Sequence, residues 1–160
     1  MNWPYIHITL NHFPIILTIV GSAVLALALI VRQRGVWLYA VATLTLAGLS
    51  IYPVFFTGDK AADALEHTWY VVRSMVEEHD ESAGFALWAT LIMGAVSAYA
   101  WWRMLRREIA GIPPVWLRTL ITVLTALALA IVVRTAYLGG QIIHESPKLA
   151  TPPAGVAAAR

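Results

Sequence analysis

Four apolar runs dominate this chain, and each is about as long as a helix must be to cross the roughly 30 Å hydrocarbon core of a bilayer: about 12–31, 36–56, 83–102 and 115–138. Short polar connections separate them, so the sequence predicts an all-α, integral-membrane, up-down four-helix bundle. Asn11-His12-Phe13-Pro14 interrupts the start of the first run, where a proline can occupy an early helical position. The second run is expected to end near Pro53 and Thr57-Gly58-Asp59, and Ser82 and Gly84 open the third. Trp101-Trp102-Arg103 closes the third run with interfacial aromatics and a cation, and Gly111-Ile112-Pro113-Pro114 turns into the fourth.

Composition agrees with this reading. Only 12% of the 160 residues are charged, about half of what a soluble domain uses to cover its surface. There is no cysteine, which excludes disulfides, thiol nucleophiles, iron–sulfur clusters and thiolate zinc sites. The net charge of +2 has a topological explanation. Arg32, Arg34, Arg103, Arg106, Arg107 and Arg118 gather on one side of the runs, and eight of the nine acids lie on the other. Short loops rich in arginine stay in the cytoplasm, so both termini are expected in the periplasm of a bacterial inner membrane. On this reading the partners are lipids and not nucleic acid, and a homo-oligomer is compatible with the sequence. A cleaved signal peptide is not expected, because residues 1–31 contain no lysine or arginine.

Between the second and third runs, Ala62, Leu65, Trp69, Val72 and Val76 recur at helical spacing among polar residues. The pattern predicts an amphipathic helix within 59–81, lying over the outer end of the bundle as a lid. Residues 1–146 are read as the transmembrane domain and 147–160 as a loose C-terminal tail. No internal repeat is evident beyond the alternation of helices.

All five histidines, His7, His12, His67, His79 and His144, fall on the outer side of this topology. Histidine is the commonest metal ligand, and polar groups near membrane depth are expensive without a use. Matched depth groups His12, His79 and His144 in one outer cavity with His67 above them on the lid. Small residues below them, Ala83, Ala86 and Thr90 under His79 and Gly140 beside His144, suit a flat, bulky ligand such as a porphyrin, although small residues also serve helix packing. Arg134 lies inside the fourth run and needs a partner, either the outer acidic group, headgroup phosphates or haem propionates. Carboxylates stand beside the histidines, namely Asp63 and Glu66 near His67, Glu77, Glu78 and Asp80 around His79, and Glu145 next to His144. They are placed to orient an imidazole through its second nitrogen or to bind a hard cation. The di-iron, zinc-protease, nucleophile-elbow, phosphate-loop and covalent-haem motifs are absent.

His7 and His12, followed by Phe13-Pro14-Ile15, resemble the His-Pro-x-x-x-His-Phe-Pro-Ile opening of a bacterial four-helix membrane domain family of unknown function, with Ile8 in place of the usual proline. The resemblance continues through Thr57-Gly58-Asp59-Lys60-Ala61, Glu66-His67, Glu78-His79-Asp80-Glu81 and Leu138-Gly139-Gly140, and so covers nearly the whole chain. Members of that family are sometimes joined to Rieske or cytochrome c domains, which implies electron transfer at the outer membrane face. The leading expectation is therefore an electron carrier or redox subunit, not a free-standing enzyme, binding b-type haem through His12, His67, His79 and His144, with His12 paired to His79 and His67 to His144. Arg134 and Gly140 would line the cofactor, and a cytochrome c or Rieske protein would be the redox partner. The alternatives are a copper, iron or zinc ion on the same histidines, or a structural accessory subunit.

Overall fold

The computed structural model describes residues 1–66 and 68–150. They form α1 (Trp3–Leu10), α2 (His12–Val31), α3 (Arg34–Leu65), α4 (Arg73–Leu105), α5 (Val115–His144) and the short α6 (Ser146–Leu149). Four helical segments, with α1 and α2 counted as one, are long and apolar enough to cross a membrane. They form a helical bundle in which α2, α3, α4 and α5 pack in cyclic order, with α1 against α3.

The first span begins two turns earlier than its apolar run. Asn2 caps α1 by accepting from the Tyr5 amide at 3.2 Å, and Pro4 sits where no amide partner is needed. The break at Asn11 follows from Pro14, whose ring crowds the carbonyl of Leu10 four residues back and offers it no N–H. Pro53 does not end α3, which continues to Leu65. Helices that cross membranes tolerate an internal proline through local adjustment of the turn, and Ala61, Ala62, Ala64 and Leu65 are strong helix formers.

That continuation changes the lid. Among the described residues there is no separate helix over 59–81; the amphipathic stretch is divided between the end of α3 and the start of α4. Extending an existing helix adds one hydrogen bond per residue, whereas a separate lid would need a new nucleus. Around residues 68–72 the chain turns instead, with the Thr68 amide on the Leu65 carbonyl and the Val71 amide on the Thr68 carbonyl. The buried Ser146 hydroxyl accepts from the Val72 amide and so ties α6 to this turn. Residues 147–149 thus belong to a helical turn, while 151–160 of the expected tail, and His67, lie outside the described residues.

The bundle buries many small or hydroxylated side chains beside a core of Trp37, Leu44, Met93, Met104, Leu117 and Ile121, and large apolar side chains also cover much of its outside. Ala28, Ala47, Ala100, Ala128, Thr18 and Thr90 are buried, whereas Ile30 is 79% exposed and Leu49 69%. In water this would be an inverted surface; against lipid tails it is the favoured one. Helices α3 and α4 come closest at Gly48 and Gly94, where a Cβ on Gly48 would stand 2.7 Å from the Gly94 Cα. At the arginine-rich end, Arg32 and Arg107 take left-handed backbone conformations that close α2 and follow α4. Arg34 donates to the Met104 carbonyl at 2.6 Å, capping the C-terminal end of α4 where carbonyls lack partners.

Candidate functional site

Two histidines meet at the end of the bundle away from the arginine cluster, and they are His7 and His79. Their ring centroids lie 6.4 Å apart with the planes nearly perpendicular, at 79°. His7 reaches the site because α1 carries it two turns above the apolar run. Its Nδ1 donates to the Val54 carbonyl on α3 at 3.1 Å and is 3.3 Å from the Thr57 hydroxyl. That hydroxyl donates in turn to the same carbonyl at 2.9 Å. His79, on α4, donates from Nδ1 to the Thr135 carbonyl on α5 at 3.0 Å.

A carbonyl oxygen carries no proton, so each Nδ1 must supply it, and in the neutral ring each Nε2 is left unprotonated with its lone pair free. This is the arrangement in which an imidazole is oriented through one nitrogen for coordination through the other. The acceptors are helix carbonyls already engaged by the amide four residues on, namely those of Gly58 and Gly139. An imidazole reaching the second lone pair must pass over that residue. A Cβ on Gly58 would stand 3.1 Å from the His7 Cε1, and one on Gly139 3.0 Å from the His79 Cε1. The absent side chains let each ring lie against the helix backbone without giving way.

Beneath His79, the buried Ser82 hydroxyl pairs with the Thr135 hydroxyl at 2.7 Å and so holds α4 to α5 at the level of the acceptor. One turn below His7, the Asn11 Oδ1 is enclosed without a hydrogen-bond partner. At the same end of the bundle an open cleft of about 570 Å³, lined by neither histidine, lies between the end of α3 and the start of α4; its carboxylates are Asp59, Asp63, Glu66, Glu77 and Asp80, with Lys60 paired to Asp63 and Arg73 to Glu66 and Glu77.

The other expected site residues are distributed differently. His12 is exposed at the start of α2, its Nδ1 turned back to the Ile8 carbonyl at 2.7 Å, so the imidazole packed beside His79 is that of His7. His144 is exposed at the end of α5. Gly139 and not Gly140 faces an imidazole, and a Cβ on Gly140 would meet nothing within 4 Å. Arg134 pairs with Glu78 at 3.2 Å, with both side chains more than half exposed. Glu78 belongs to the outer acidic group, one of the partners expected for Arg134, and α4, which begins at Arg73, carries it beside α5. Among the described residues no group of three or more His, Asp or Glu side chains is placed to hold a metal ion. Sequence reasoning passed over His7 as a ligand because the first helix was begun at residue 12; the capping Asn2 and Pro4 were the signal that it starts earlier. Comparison with known proteins gives no matching family model, no matching curated protein and no matching solved structure.

Proposed function

We propose that this chain is a membrane electron-transfer protein, or the membrane subunit of a redox complex, that binds b-type haem between His7 and His79 near the periplasmic face of a bacterial inner membrane. The observation that carries the reading is the pair itself, with both Nδ1 atoms committed to carbonyls and the rings 6.4 Å apart. The two unprotonated Nε2 atoms would be the ligands that hold the group. The unpartnered Asn11 Oδ1 leaves a polar atom under His7 for a ligand group. Bound haem would supply one-electron chemistry. The chain's own residues fix the tautomers, hold the imidazoles apart at a coordinating distance and enclose them in helices. The arginines at the Arg34–Met104 end favour an orientation with both termini periplasmic, and the partner would be a cytochrome c or Rieske protein.

A second reading is favoured by the acid-lined cleft, whose five carboxylates outnumber its two cations and attract cations to the end of the bundle that carries the same histidines. There the pair would hold a copper, iron or zinc ion. An absorption spectrum of the purified protein, with metal analysis of the same sample, separates the two. A Soret band that is lost in His7→Ala and in His79→Ala but kept in His12→Ala and His144→Ala supports haem. No Soret band with one equivalent of copper, iron or zinc supports the ion. Neither signal overturns both.

A further inference from the structure

The two halves of the site are built alike, and the likeness extends through the bundle. Each histidine donates to the carbonyl of a residue whose fourth neighbour is the glycine against which its ring lies: Val54 and Gly58 for His7, Thr135 and Gly139 for His79. These units fix two registers before any comparison of buried positions. The shift of 72 residues that takes His7 to His79 carries the five buried residues of α2, Pro14, Thr18, Gly21, Leu25 and Ala28, onto Ala86, Thr90, Met93, Ser97 and Ala100, and all five are buried in α4. The shift of 81 that takes Gly58 to Gly139 carries Ala40, Leu44, Ala47, Ile51 and Thr57 of α3 onto Ile121, Thr125, Ala128, Val132 and Leu138, which are five of the six buried residues of α5. Thr18 and Thr90 agree in more than burial, for both hydroxyls are enclosed without a partner.

The packing follows the same operation. The α2–α3 interface maps onto α4–α5, and α3–α4 onto α5–α2. The second correspondence is looser for a visible reason: Leu129 and Ser22 stand where the close pair Gly48 and Gly94 stands in the first. Both halves run in the same direction, as parallel repeats about an axis along the membrane normal do.

Resting on the haem reading above, we propose that residues 7–58 and 79–139 are two copies of one ligand-presenting unit about a pseudo-two-fold axis between His7 and His79, so that the site takes one metalloporphyrin with two equivalent axial positions, both filled by the chain. Two matched imidazoles leave no vacant position on the iron. The site is therefore closed to small exogenous ligands and suited to outer-sphere electron transfer.

The test uses the full-length protein in detergent. Carbon monoxide added to the reduced, haem-loaded wild type should leave its spectrum unchanged, whereas His7→Gly and His79→Gly should each lose at least ten-fold in haemin affinity. Both variants should recover on addition of free imidazole, to within about three-fold of one another. Recovery of one variant alone, or carbon monoxide binding by the wild type, overturns the proposal. If haemin does not bind the wild type, the haem reading falls, and the repeat is decided on the protein without ligand by nitrogen NMR of the histidines. His7 and His79 both in the Nδ1–H tautomer, with Gly58→Ala and Gly139→Ala each displacing its own ring signal, keeps two equivalent units. An Nε2–H tautomer at either residue, or a response at one glycine only, removes them.

Discussion

Replacing Gly48 with alanine tests how closely α3 and α4 are packed. The new Cβ would stand 2.7 Å from the Gly94 Cα, 3.2 Å from the Thr90 carbonyl oxygen and 3.5 Å from the Gly94 nitrogen. All three are backbone atoms, so no side chain can swing away. Restoring an ordinary carbon–carbon separation of about 3.8 Å moves the helices apart by about 1 Å, which forfeits up to half of each affected dispersion contact. Overpacking of this kind costs about 1–3 kcal/mol, and rigid backbone on both sides puts Gly48 near 3. Alanine recovers about 1 kcal/mol of helix propensity. The net loss is about 2 kcal/mol. Gly84 is the control, since a Cβ there meets nothing within 4 Å, and Gly84→Ala should be neutral or slightly stabilising. Reversible unfolding in mixed micelles, followed through tryptophan fluorescence with the fully buried Trp37 among the reporters, measures both variants. Equal stability of Gly48→Ala and Gly84→Ala would refute the close crossing.

Ser82→Ala should cost about 1 kcal/mol in the same assay, because it removes one interhelical hydrogen bond inside the bundle while Thr135 keeps its bond to the Ile131 carbonyl. Arg134→Leu and Glu78→Gln should each cost less than about 1 kcal/mol, with a coupling energy no larger, since both side chains are more than half exposed; a coupling above about 2 kcal/mol in a double-mutant cycle would mean that the pair is enclosed. Ser146→Ala removes the acceptor of the Val72 amide, so hydrogen exchange at Val72 should accelerate by about ten-fold, corresponding to about 1.4 kcal/mol; unchanged exchange would show that α6 does not hold the turn. A reporter fused after Arg160 should be active only in the periplasm, and cytoplasmic activity would reverse the orientation drawn from the arginines.

The four-helix architecture was legible because length and hydropathy alone decide it. The helix ends were not, and the reason is that apolar runs record where hydrocarbon contact stops and not where backbone hydrogen bonding stops. At Pro53 the run weakens but α3 continues for twelve residues to Leu65, and at Arg73 α4 begins ten residues before its run. Those polar extensions carry what the site is made of: His7, Val54, Gly58 and His79 all lie outside the apolar stretches or at their margins. Choosing histidines by depth therefore selected His12, which the structure leaves exposed, and passed over His7. The repeat was illegible for another reason. Only seven of 25 residues are identical between 7–31 and 79–103, and three of 25 between 34–58 and 115–139. Residue type differs at buried and exposed positions alike, as in Gly21 against Met93 and Leu44 against Thr125, and what persists is the register of burial.

Where the two units differ is as informative as where they agree. The shift that pairs His7 with His79 sets His12 opposite Gly84 and Asn11 opposite Ala83. His12 faces outward with its Nδ1 bound to the Ile8 carbonyl of α1, and open space surrounds the Cβ position of Gly84, so neither residue takes part in the arrangement that holds the paired rings. Asn11 is different, because its Oδ1 is enclosed and unpartnered on the face that carries His7 one turn above. Two equivalent imidazoles would bind a symmetric centre in either of two orientations. A single buried amide on one side only breaks that degeneracy, because an enclosed polar atom without a partner costs about 1–3 kcal/mol until a ligand group satisfies it. On the haem reading proposed above, the symmetric elements of the site would serve coordination, and Asn11 would supply the asymmetry that selects one orientation of what is bound.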